Sequence, residues 1–198
     1  GFDRLLKGLA NYYIHSPQYK VYFHIIGDFF SPREREEYMS IIKENHLAPY
    51  VILHGRQAGQ MLDLLFELCD FGIGSLGRHR SGITNIKTLK NREYAARGIP
   101  FIYSEIDEDF ENMPYIMKIP ANEEAVDIKQ ILNFYNQLHI TPLEIRNSIR
   151  HLSWNNQMKK VLDEMQKKDK INPNNNNIAN FATLYTNKFI PNKEKWPH

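Results

Sequence analysis

Apolar positions along this chain alternate between two rhythms, and that alternation defines the architecture to expect. In "FDRLLKGLANYYIH" they fall at Phe2, Leu5, Leu6, Leu9, Tyr12 and Tyr13, the spacing of a helix with one buried face. "KVYFHIIG" is a short apolar run ending at Gly27 and predicts a strand. "SPREREEYMSIIKENH" predicts a second helix, with Ser31 as N-cap, Pro32 at the first helical position and acidic residues in the first turn. "YVILHG" predicts a strand closing at Gly55, "QAGQMLDLLFELC" a helix, and "DFGIGSLG" a strand running into glycine. Thr84 is placed to cap a helix through Ala96, with Gly98 just past its end. "IPFIYS" and "YIMKIP" predict further strands. "EEAVDIKQILNFYNQLH", "TPLEIRNSIRHL" and "SWNNQMKKVLDEMQKK" predict further helices.

Strands separated by helices imply parallel pairing through crossovers. The expected fold is therefore α/β, a three-layer Rossmann-like domain with a mostly parallel sheet, over residues 1–168. Residues 169–198 differ in kind. Asn174 to Asn177 follow a proline and make a linker that cannot pack, whereas "FATLYTNKFI" beyond it has enough aromatic and β-branched surface to dock on this domain or on a second copy.

Composition narrows the function classes. A formal net charge of +2 is too small for bulk attraction to nucleic acid, so any basic patch must be local. One cysteine, Cys69, excludes an internal disulfide, and its apolar surroundings "LLFELC" predict a buried small hydrophobe. No apolar run reaches the roughly 18 residues of a membrane span, and the N-terminus has no signal-peptide pattern, so a cytoplasmic location is expected.

In open parallel sheets, ligands sit at the carboxyl ends of strands. Three such ends carry glycine here, in "IIGD", "LHGR" and "GIGSLG". In the third, Gly72, Gly74, Gly77 and Gly82 allow close backbone approach, and Arg78, His79 and Arg80 add positive charge. A helix starting near Thr84 would point free N–H groups and its positive dipole end into the same space. That combination suits a polyoxygen anion such as a diphosphate; a mobile basic loop is the plain alternative. Glu93, between Lys90 and Arg97, fits an ordinary surface ion pair on spacing alone. No carboxylate cluster or His/Cys spacing points to a metal.

The segment "LKNREYAARGIPFIYS", with "YVILHG" and "CDFGIGSL" upstream, resembles the donor-binding half of a B-type, two-domain retaining glycosyltransferase of the family-4-like kind. The likeness covers residues 1 to about 165. It implies a domain that binds a nucleoside-diphosphate sugar without a further cofactor, in an enzyme that moves the sugar to a hydroxyl acceptor, as in bacterial surface polysaccharide synthesis. In that family a helix bears two glutamates eight positions apart, and the second binds the ribose hydroxyls. Glu93 falls on the second position, while Asn85 stands at the first, which usually touches the donor sugar. By the same resemblance Gly55 and Arg56 lie near the base, and Gly27 and Asp28 line the donor cleft. Gly74, Arg78, Arg80, Thr84 and Lys90 complete the expected donor-binding set.

Family members open this domain with a strand and a glycine turn ahead of the first helix, whereas Phe2 here already belongs to that helix. The resemblance thus implies a sheet lacking its first strand, and a fragment that needs an N-terminal acceptor-binding domain to transfer sugar. In a full-length enzyme it would be cytoplasmic, or peripheral at the inner membrane face. The slot would demand a filler. The tail is the candidate, with Phe181, Leu184, Tyr185 and Phe189 buried against this domain or against a second copy in a homodimer. The readings that compete are a non-catalytic nucleotide-sugar-binding or regulatory module, a sugar-nucleotide epimerase of the same fold, and a nucleic-acid-binding α/β domain, which the mixed charge argues against.

Overall fold

The computed structural model describes residues 1–171. The chain divides into two compact units, residues 1–148 and residues from 149 onward. The expected burial of Phe181, Leu184, Tyr185 and Phe189 lies outside the described residues.

The first unit is a mixed α/β structure. Helix α1 (Phe2–Tyr13) leads to strand β1 (Phe23–Ile26), α2 (Pro32–Glu44), β2 (Val51–Gly55) and α3 (Gly59–Glu67). Strand β3 (Gly72–Ile73), α4 (Leu89–Arg97), β4 (Phe101–Tyr103), β5 (Ile116–Lys118), α5 (Ile128–Asn136) and α6 (Pro142–Ser148) follow. The second unit contains α7 (Trp154–Ile171). Among the described residues every strand pairing is parallel, including β4–β5, whose connection carries no helix.

Among the described residues the strands form two separate sheets, β1–β2 and β3–β4–β5. Phe23, His24 and Ile25 register with Val51, Ile52 and Leu53, and a bulge then sets Ile26 opposite Gly55. Phe101 at the centre of the second sheet registers with both Gly72 and Ile116. The strand expected in "DFGIGSLG" is thus cut to Gly72 and Ile73, although the Gly74 amide still donates to the Ile102 carbonyl at 2.8 Å just beyond its end.

Local chemistry sets the helix ends. Ser31 caps α2 by accepting from the Glu34 amide, with Pro32 at the first helical position. Asp127 caps α5 through the amides of Lys129 and Gln130. Helix α4 departs from its expected limits. It begins at Leu89, with Thr88 rather than Thr84 as its cap. Thr84 and Ile86 are extended and exchange hydrogen bonds with Ile106, which forbids helical geometry there.

The core forms where α1 meets the β1–β2 sheet, α2 and α5. Leu5, Leu6, Leu9 and Tyr12 are buried with Phe23, Tyr38, Ile42, Val51 and Ile131. Each such leucine contributes roughly 1.5–3 kcal/mol by leaving water. Around β4, the rings of Phe110, Tyr103 and Tyr115 pack against Phe101. Cys69 is half-buried rather than fully buried; its thiol donates to the Leu65 carbonyl, and burial raises its pKa.

Two charged residues of α1 are buried as deeply as its leucines. Arg4 is 2% exposed, and its guanidinium donates to the carbonyls of Leu76, Glu124 and Pro120 and to Asn122 Oδ1, all at 2.8–3.0 Å. In return the Arg4 carbonyl accepts from the Val126 amide. A buried charge is tolerated only when its donors are satisfied, and here four acceptors do so. Arg4→Met is expected to lower stability by about 3 kcal/mol by stranding these acceptors, and Arg4→Lys to rescue little, because an ammonium cannot span them. Chemical denaturation of the three proteins measures this; an Arg4→Met midpoint equal to the parent's would show the network to be dispensable.

Candidate functional site

The carboxyl ends of β1 and β2 end in glycines that only glycine suits. Gly27 has φ +118° and Gly55 φ +63°, and a side chain added to either would meet open space. Backbone is therefore exposed to an incoming ligand at both points. Arg56, just past β2, pairs with Asp28, just past β1, at 2.8 Å across the exposed rim. On the facing strands His24 Nδ1 lies 3.0 Å from His54 Nε2, the rings stacked at 5.1 Å, and burial followed by the neighbouring His54 lowers the pKa of His24. Nothing in the sequence marked this pair: His24 registers with Ile52, and His54 lies two residues further along β2.

A cavity of about 760 Å³ adjoins this rim and brings together four of the residues expected at the donor site, Gly27, Arg56, Lys90 and Glu93. Lys90, on the first turn of α4, holds its ammonium 4.8 Å from the Phe2 ring centroid. Burial of that ammonium, reinforced by the like charge of Arg78, lowers its pKa. Among the described residues no carboxylate pairs with either Lys90 or Arg78, so two cations stand together unneutralised. Glu93 accepts from Arg97 at 2.9 Å, and Arg97 also reaches Asp63. Glu93 thus forms the surface ion pair its spacing suggested, while still lining the cavity.

The glycine- and arginine-rich loop folds into a 3-10 turn over Arg78–Ser81, closed by Gly82 at φ +70°. Buried Glu105 accepts from the amides of Arg78 and His79 and anchors the turn. Arg80 is not free for a ligand: it binds both oxygens of Asp3 at 2.8 and 2.9 Å, and Glu123 as well. Gly74 is buried, and a side chain there would strike Asn91 Oδ1 and the Ile102 carbonyl at 2.8 Å. Its role is close packing of α4 on the sheet. Thr84 and Asn85 are exposed on the extended segment before α4, and Asn85 bridges to Ile106 instead of sharing a helix with Glu93. Asp3, Glu105 and Glu123 were invisible to sequence reasoning, since each lies far along the chain from the arginine-rich turn it holds.

No family model, curated protein or solved structure matches this chain. Among the described residues no helix is long and apolar enough to cross a membrane, and no group of three or more His, Cys, Asp or Glu is arranged to hold a metal ion.

The Asp3–Arg80–Glu123 cluster makes a pH prediction. Burial opposes ionisation of Asp3, but hydrogen bonds and charge from Arg80 prevail and hold its carboxyl well below the usual 3.8. Hydrogen bonds from Arg80 and then His79 bring Glu123 down from 4.5 to about 2. Depressed carboxyl pKa values stabilise the fold fully above the ordinary values, and that stabilisation is lost as pH falls through the folded ones. The melting temperature should therefore fall progressively below about pH 4.5. Asp3→Asn should lower it at pH 6 and flatten part of the acid decline. Thermal melts from pH 6 to 2 decide, and an unaltered acid slope in Asp3→Asn would assign the decline elsewhere.

Proposed function

We propose that this chain binds a nucleoside-diphosphate sugar as the donor domain of a two-domain glycosyltransferase, with its layers arranged in the three-layer Rossmann-like manner that its pattern implies. One juxtaposition carries the reading: open glycine backbone, Arg56, Lys90 and Glu93 meet in one cavity at the carboxyl ends of parallel strands. Exposed backbone at Gly27 and Gly55 admits flat or hydroxyl-bearing groups closely. Lys90 and Arg78 supply the unneutralised charge that a diphosphate needs, and the nearby amino end of α4 adds its dipole. Glu93 supplies a carboxylate for the ribose hydroxyls once it loosens from Arg97.

In the transfer, the bond from the anomeric carbon to the β-phosphate oxygen breaks and its electron pair leaves with the diphosphate. The acceptor hydroxyl forms the new bond and gives up its proton to a base. Lys90 and Arg78 would stabilise the charge growing on the leaving group. The acceptor and its base belong to a second domain. On this reading the enzyme works in the cytoplasm, at or near the inner membrane face, on surface polysaccharide.

A non-catalytic binding module is the second reading. It draws on Arg80, whose guanidinium is committed to Asp3 and Glu123, and on Asn85, which offers no carboxylate to a donor sugar.

Calorimetric titration with UDP, GDP and ADP, and with their parent nucleosides, tests both. Arg78→Ala and Lys90→Ala should each weaken the preferred diphosphate about 10- to 100-fold while leaving the nucleoside nearly unchanged, the worth of a hydrogen bond to a charged group. Arg80→Ala should cost stability rather than affinity. Equal losses for nucleoside and diphosphate would remove Arg78 and Lys90 from the phosphate site. Glu93→Gln should erase most of the preference for ribo- over 2′-deoxy ligands, and a preference that survives would leave Glu93 a surface ion-pair residue only.

A further inference from the structure

Lys90 is held differently from the lysines that ion pairs engage. Lys7 lies 3.5 Å from Asp3, Lys87 3.7 Å from Glu108, Lys118 2.6 Å from Glu111 and Lys167 2.7 Å from Glu164. A carboxylate partner keeps the proton on the amine. Around Lys90 stand instead the Phe2 ring, 4.8 Å from its nitrogen, and the like charge of Arg78. The ring attracts a cation, whereas the first turn of α4 repels one, because the positive end of the helix dipole lies there. Desolvation, and after it Arg78, prevail and lower the pKa of the amine. The side chain as a whole stays exposed, so a reagent in solution can reach it.

Two chemical capacities thus meet at one place. A lysine that is partly dried and set beside another cation gives up its proton readily, and the neutral amine is a nucleophile. Arg78 is exposed and, among the described residues, has no carboxylate partner, so its planar fork of donors suits a phosphoryl group. The reagent that fits both carries an electrophilic carbonyl joined directly to phosphate.

We propose that Lys90 is acylated by acyl phosphates and that this modification weakens anion binding at the Arg78 turn. The Lys90 nitrogen attacks the carbonyl carbon, and the new carbon–nitrogen bond forms as the bond from that carbon to the phosphate oxygen breaks. The electron pair leaves with the phosphate, which also takes the proton that the nitrogen gives up. Arg78 holds the phosphoryl oxygens during the step. The product is a neutral amide, so one of the two neighbouring cations is lost. The regulatory consequence rests on the reading of Lys90 and Arg78 as a diphosphate site, whereas the acylation rests on those two side chains alone.

The test treats the full chain with acetyl phosphate or, separately, with an uncharged acetylating ester, and follows each lysine by peptide mass spectrometry. With acetyl phosphate, Lys90 should react about tenfold or more faster than the exposed Lys20 and Lys43, the worth of a charge-assisted hydrogen bond to the phosphoryl group. Arg78→Ala should slow Lys90 more toward acetyl phosphate than toward the ester, and inorganic pyrophosphate should protect Lys90. Acylated protein should bind pyrophosphate about tenfold more weakly than untreated protein. In Lys90→Arg the same treatment should leave pyrophosphate affinity where it started, whatever that value is. Equal rates at Lys90, Lys20 and Lys43 would overturn the proposal, as would a Lys90 rate indifferent to Arg78 and to pyrophosphate. Acylation without loss of pyrophosphate affinity would overturn its regulatory part. Protection by pyrophosphate in a protein that binds no nucleoside diphosphate would uphold the acylation site and remove the donor-domain reading.

Discussion

The buried guanidinium of Arg4 is the interaction on which the first unit depends. It draws the start of α1, the turn after β3 and the loop after β5 to a single point through four hydrogen bonds. Burial lowers its pKa, yet a guanidinium stays charged there, because its ordinary value lies so far above neutrality. Its acceptors are mainly carbonyls, so the net worth of the arrangement is geometric: planar donors fix three segments in one orientation. The adjoining close approach of Gly8 to the Val126 carbonyl leaves no room for a side chain, which locks α1 against the segment entering α5.

Asp3, the neighbouring residue, extends the same anchor outward. It binds Arg80, Arg80 binds Glu123, and His79 also contacts Glu123. Glu105 holds the turn from beneath through two backbone amides. The loop that looked free and basic is thus clamped by three carboxylates. Among the described residues, Arg78 is the arginine of this turn that no carboxylate pairs, and its charge is felt at Lys90 on α4. The same clamp explains why α4 starts late. Residues 84–86 are drawn into an extended bridge with Ile106, which leaves Thr88 as the first side chain able to cap.

The rim and the apolar body of the cavity follow from one topological fact, the separation of β1–β2 from β3–β4–β5 among the described residues. Where the strands end, positive-φ glycines and charged side chains converge. Deeper in, apolar helix faces and strand edges converge instead. Polar chemistry gathers at the mouth because only there can water satisfy Asp28, Arg56 and Glu93 when no ligand is present.

Sequence alone determined the alternation of helices and strands, the parallel pairing it requires, the Ser31 cap and the Gly98 stop, because each depends on residues within a turn or two of one another. It also singled out Gly27, Arg56, Lys90 and Glu93, which do share one cavity. Only the tertiary structure decided that Thr84 does not begin a helix, that Gly74 is a packing glycine and that Arg80 is neutralised. Those outcomes turn on Ile106, Asn91, Asp3 and Glu123, whose contacts are made through space and leave no local pattern. Burial of Asp3 and Arg4 was hidden for the same reason: a charged pair at the start of an amphipathic helix reads as solvated until its distant acceptors are in place.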